Sequence, residues 1–163
     1  MKTAKLSLSS ILIGLGVALS FYPGPIPLGP ALVFPFQSMI NVLAGILLGP
    51  FYAALVAFLV GAIRITVHTG TIYSLPGGIP GALFVGYSYK LSKSYLSAFA
   101  EIPGTALVGA LLSATLVAPA TGSKATALFF VVAFTPPALI GSALGFAIML
   151  ALRRRGVVER LPL

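Results

Sequence analysis

The sequence has no cysteine, and only two of its 163 residues are acidic. Without cysteine there are no disulfides, no thiolate nucleophile and no thiolate metal ligands. Glu101 sits in an apolar run and Glu159 in the tail, so the chain has no paired carboxylates for acid–base or carboxylate–metal chemistry. A single histidine, His68, leaves no second imidazole with which to build a metal site. No glycine-rich phosphate loop of the Walker type occurs, so the chain carries no ATP engine of its own. Charge of any kind is scarce, at 7% against about 25% in soluble domains.

What fills the sequence is apolar. Hydrophobic residues make up 58% of it, and the mean hydropathy is +1.09. No Asp, Glu, Lys or Arg occurs in 6–63, 65–89, 102–123 or 125–152. At about 20 residues per span, these runs predict an all-α membrane protein of six transmembrane helices. They leave no room for a soluble domain, so 1–163 reads as a single integral-membrane domain. The period-two alternation of a membrane barrel is missing, and Leu, Ala and Gly runs favour helices.

The expected spans are 6–22, 36–48, 51–67, 77–91, 94–118 and 125–152. Lys2 and Lys5 ahead of an apolar core also fit a secretory signal peptide, but a retained first span is the preferred reading. Five prolines between 23 and 35 exclude a helix there and predict an apolar loop folded against the bundle. Gly49-Pro50 separates the second and third spans, and Pro136-Pro137 predicts a kink in the sixth. The fourth should be loosened at Gly77, Gly78, Pro80 and Gly81, and the fifth disturbed at Pro103-Gly104.

The net charge of +8 does not point to nucleic acid, because the basic residues gather at the ends and in one short turn. With the amino terminus inside, Lys2, Lys5, Lys90, Lys93, Arg153, Arg154, Arg155 and Arg160 all fall on one side. That is eight of the ten basic residues, so the positive-inside rule places both termini in the cytoplasm. The loops 23–35, 68–76 and 119–124 then share the outer side.

The polar residues concentrate in 34–81. Gln37 and Asn41 lie four apart, on one helix face. Arg64 and Glu101 are the charges away from the ends of the expected spans, and a lone charge in the bilayer core costs about 2.5–3.5 kcal/mol on insertion scales. Both should therefore face the bundle interior, paired directly or through a ligand or water. The pair could equally be a structural lock, and Gln37 and Asn41 interhelical glue. Thr69, Thr71, Tyr73 and Ser74 follow His68 in a Gly/Pro-punctuated turn, as helix caps or ligand contacts. Phe34, Phe36, Tyr73, Phe129 and Phe130 can wall a pocket for a flat ring or serve as interfacial belt residues. Ser10, Gly14 and Ala18 recur every four residues, a smooth stripe on which another helix can pack.

The segment FPFQSMINVLAGILLGPFYAALVAFLVGAIR at 34–64, TGT at 69–71, LPGGIPGA at 75–82 and EIPGT at 101–105 together resemble the ThiW family over essentially the whole chain. Members are substrate-binding (S) components of energy-coupling factor (ECF) transporters. The resemblance implies a six-helix bundle that captures a vitamin precursor in the cell membrane. Its cargo would be 4-methyl-5-(2-hydroxyethyl)thiazole, for thiamine synthesis. It implies a transmembrane coupling protein and two ATPase subunits as partners, no cofactor, and no enzymatic activity of the chain itself. The loop after the first helix would cover the site, and Ser10, Gly14 and Ala18 would meet the coupling protein. The substrate-binding candidates are Gln37, Asn41, Arg64, Thr71, Tyr73, Ser74, Glu101 and Thr105. The competing readings are an S component for hydroxymethylpyrimidine or thiamine, and a membrane assembly subunit without a ligand.

Overall fold

The computed structural model describes residues 2–28 and 31–160. Helix α1 (Lys2–Phe21) leads into a two-stranded antiparallel ribbon, β1 (Ile26–Leu28) and β2 (Ala31–Val33), with Ile26 opposite Val33. Next come α2 (Pro35–Leu48), α3 (Pro50–Thr66), α4 (Ser74–Ser92), a continuous helical stretch α5 (Tyr95–Ala120), α6 (Ala127–Arg154) and a final turn α7 (Val157–Arg160). The described residues are thus helical apart from the ribbon and short turns, and the ribbon occupies the proline-rich segment where no helix can form. Pro35 and Pro50 each stand at a helix start, where their missing N–H costs nothing. Between α2 and α3 the turn is a single residue, Gly49, with φ of +88°. Only glycine adopts that backbone without strain.

Among the described residues, three helices are long and apolar enough to cross a membrane: Thr3–Phe21, Tyr95–Ala120 and Ala127–Arg154. Helix α2 is only 14 residues, or about 21 Å, against a hydrocarbon core of about 30 Å. Its position explains how this is tolerated. It packs against α1, α3, α4 and α6, and twelve of its residues are buried, so protein surrounds it rather than lipid. Around it, Leu12, Ile40, Val42, Leu43, Val56, Val60, Val85 and Met149 form the core.

One expectation needs correction. Gly77, Gly78, Pro80 and Gly81 do not loosen α4, which runs as regular helix through all of them. They let α5 approach instead: an added Cβ on Gly104 would lie 2.7 Å from the Gly81 Cα, and one on Gly109 2.9 Å from the Gly77 Cα. Helix α5 accommodates this contact with uneven winding. It opens as a 3-10 turn over Tyr95–Ala100 and widens to π-helix over Pro103–Gly109 and Ser113–Val117. Pro103 opens the first π stretch, where the missing N–H breaks the α-helical ladder. Helix α6 continues unbroken through Pro136-Pro137.

Candidate ligand-binding site

A cavity of about 530 Å³ opens between the ribbon, α2, the α3–α4 turn and α6. Its apolar wall comes from Val33, Phe34, Ala133, Phe134 and Pro137, and its polar wall from Gln37, Ser38, Arg64, Thr69, Thr71, Ser74 and Thr105. That size and mixture suit one small ring compound.

Behind the polar wall runs a chain of hydrogen bonds. Arg64 Nη1 donates to Gln37 Oε1 at 3.3 Å, and Gln37 Nε2 donates to Asn41 Oδ1 at 3.4 Å. Asn41 Nδ2 donates to the Gly78 carbonyl and to Glu101 Oε1, each at 2.9 Å. Thr105 Oγ1 donates to the same Glu101 oxygen at 2.9 Å. Arg64 and Glu101 therefore do not pair directly, one of the two arrangements expected of them. Helix α2 stands between them, and its two amides connect the charges. Asn41 and Glu101 are fully buried, and Gln37, Arg64 and Thr105 are nearly so. Arg64 Nε and Glu101 Oε2 are buried with no hydrogen-bond partner among the described residues.

The arginine also organises the outer turns. Its guanidinium stacks on the Phe34 ring, 3.7 Å from the centroid, and its Nη2 donates to the Thr69 carbonyl at 3.0 Å. Its own carbonyl accepts the Thr69 and Gly70 N–H groups. The Thr69 and Ser20 hydroxyls meet at 2.9 Å and fasten that turn to α1. One side chain thus contacts both segments that border the cavity, β2–α2 through Phe34 and α3–α4 through Thr69.

Of the eight binding candidates, Gln37, Arg64, Thr71, Tyr73, Ser74 and Thr105 line the cavity. Asn41 and Glu101 stand behind it and touch it only through their neighbours. Tyr73 packs its ring on Phe130 at 4.8 Å and bonds the Thr121 hydroxyl at 3.1 Å. Phe34 and Tyr73 line the cavity, whereas Phe36, Phe129 and Phe130 do not. The sequence reading missed Ser20, Ser38 and Phe134. Ser38 was findable, because it shares the α2 face of Asn41 at three-residue spacing. Phe134 had no local signal; its ring lies 3.2 Å from where a Cβ on Gly77 would be.

The family model for thiamine-precursor transporter proteins, ThiW, matches residues 6–155. The chain belongs to the ThiW family. Comparisons with curated proteins and with solved structures gave no significant match. ThiW proteins are transporters rather than enzymes, and the apolar helices make this ThiW chain a membrane protein. On that protein's first helix, Ser10, Gly14 and Ala18 are all exposed, and a Cβ on Gly14 would meet nothing within 4 Å. The opposite face of the ThiW helix is the buried one, with Ser9, Leu12 and Ser20 turned inward and Gly16 against Val60.

Proposed function

We propose that this chain is the substrate-capturing S component of an ECF uptake transporter in the cell membrane. In this reading 1–163 is one membrane domain, six helices span the bilayer and both termini are cytoplasmic. The ligand is 4-methyl-5-(2-hydroxyethyl)thiazole, taken up for thiamine synthesis. The observation that carries the reading is a cavity of ligand size, walled by aromatic and hydrogen-bonding side chains, in a chain of the thiamine-precursor transporter family. A flat ring fits against Phe34 and Phe134, while its nitrogen and hydroxyl address the polar wall.

Charge favours the thiazole over thiamine. Among the described residues Arg64 is the one full charge on the cavity lining, and Glu101 is held behind it. A thiazolium cation would face a like charge with no carboxylate in contact, whereas the neutral thiazole avoids that repulsion. Ligand binding would draw the ribbon and the 67–73 turn together over the cavity through Phe34, Arg64 and Thr69. The exposed Ser10/Gly14/Ala18 stripe would dock the coupling protein, and two ATPase subunits would supply the energy.

Ligand-dependent melting of the detergent-purified protein tests this, with hydroxyethylthiazole, hydroxymethylpyrimidine, thiamine and riboflavin as the panel. Ligand at about 100 times its Kd adds about 2.7 kcal/mol, which is roughly 5–11 °C for a chain of this size. A shift with the thiazole alone is the expected result. A shift with another compound replaces the substrate and keeps the class. No shift with any member removes the proposed ligand and favours an assembly role.

A further inference from the structure

Thr105 is a cavity-lining residue whose hydrogen-bonding polarity is decided from behind. The Gly78 carbonyl can only accept and the Arg64 guanidinium can only donate. These two groups orient both amides between them. Asn41 must turn Nδ2 toward Gly78, which leaves its Oδ1 for Gln37 Nε2 and the Gln37 Oε1 for Arg64. Asn41 Nδ2 also reaches Glu101 Oε1, and that oxygen takes the Thr105 proton as well. A threonine hydroxyl has one proton to give. With that proton committed to Glu101, Thr105 offers only lone pairs to anything in the cavity.

Packing holds this arrangement in place. Gly81 lies so close that an added Cβ would collide with both the Thr105 hydroxyl and the Glu101 carboxylate. The Gly81 backbone thus closes one side of both groups. On the Arg64 side the polarity is opposite, because a guanidinium has five N–H donors and protein groups take two of them here. The cavity therefore has a donor side and an acceptor side.

We propose that Glu101 is a positioning residue for ligand selection: it holds the Thr105 proton, so the Thr105 side of the cavity selects a ligand that brings its own hydroxyl or N–H donor. The inference rests on the uptake reading above, in which the hydroxyethyl group supplies that donor. The Arg64 side then serves the ring nitrogen, an acceptor.

The test compares hydroxyethylthiazole with its 2-fluoroethyl analogue, nearly the same shape but without a donor, by calorimetric titration of the intact protein. The wild type should prefer the alcohol by roughly 10-fold, the worth of one hydrogen bond. Thr105→Val and Glu101→Met should bring the ratio close to one. Thr105→Ser should keep the preference. Glu101→Gln should keep it too, because an amide oxygen can accept from Asn41 and Thr105 in place of Oε1. A ratio unchanged in Thr105→Val overturns the inference, as does a Glu101→Gln variant that loses the ratio as fully as Glu101→Met. If the Glu101 variants do not survive purification, Gly81→Ala, whose Cβ displaces the Glu101 carboxylate and the Thr105 hydroxyl together, takes their place, and an unchanged ratio there overturns the inference. Wild-type binding of the alcohol with one ratio across all variants keeps the uptake reading and rejects the role of Glu101. A wild type that binds neither thiazole rejects both.

Discussion

Replacing Asn41 tests the hydrogen-bond chain at its centre. The residue is fully buried on α2 and holds three partners: Gln37 Nε2, the Gly78 carbonyl and Glu101 Oε1. Asn41→Leu keeps the branching and the heavy-atom count, is bulkier, and removes all three. Two of the bonds are interhelical, and such bonds in membranes average about 0.6 kcal/mol and reach about 1.7; with a few tenths more for the pair within α2, the loss should be about 1–4 kcal/mol. At roughly 2–4 °C per kcal/mol, melting should fall by about 2–16 °C. Asn41→Asp is the sharper change. It puts an oxygen where Nδ2 stands, 2.9 Å from two acceptors, so lone pairs face lone pairs in a fully buried site. The aspartate should therefore be less stable than the leucine, although it is the closer match in shape. The assay is the melting temperature of the purified apo-protein in one detergent at neutral pH. If Asn41→Asp melts at or above Asn41→Leu, the assigned donor direction along the chain is wrong.

Gly81→Ala should destabilise the protein by about 1–3 kcal/mol, the usual cost of overpacking, and weaken thiazole binding with it, because the new Cβ displaces Glu101 and Thr105 together. Melting and ligand titration of the same preparation check both effects; unchanged values would mean that α4 and α5 are not in contact there. Gly14→Leu should leave melting and ligand affinity of the isolated chain within experimental error, since no neighbour stands within 4 Å of its Cβ. The same substitution should abolish co-purification with a coupling protein, and retained co-purification would place the partner surface elsewhere.

The reach of sequence reasoning can be seen residue by residue. The helices were legible because charge-free runs and Gly/Pro breaks mark their ends within a few residues. Gln37 with Asn41 was legible because four-residue spacing puts the pair on one helical face, and the pair is hydrogen bonded. Glu101 and Thr105 have the same spacing and are hydrogen bonded too, but entered separately, as a charge in an apolar run and through the EIPGT resemblance. What joins one pair to the other was not legible. It requires α2 to stand between α3 and α5, and that order depends on which helix is surrounded. Sequence suggested that two opposite charges in apolar runs pair directly or through a ligand or water, whereas the fold separates them and fills the gap with amides. The glycines of α4 were misread for a related reason. Glycine loosens an isolated helix, but here each one gives α5 access to the backbone, and the packing replaces what glycine costs.

The short length of α2 follows from the same arrangement. A lipid-facing helix must be long and apolar, which leaves no place for Gln37, Ser38 and Asn41 side by side. A helix surrounded by protein is free of both demands. It can be about 21 Å long and can carry amides, provided each finds a partner on a neighbouring helix. Arg64 of α3, Gly78 of α4 and Glu101 of α5 are those partners. The polar groups that hold the bundle's centre together therefore also back one wall of the cavity. Damage to the chain behind the wall should reach the fold, as in Asn41→Leu, whereas damage confined to the lining, as in Thr105→Val, should change selectivity and leave melting close to wild type. Equal melting losses in those two variants would contradict this division.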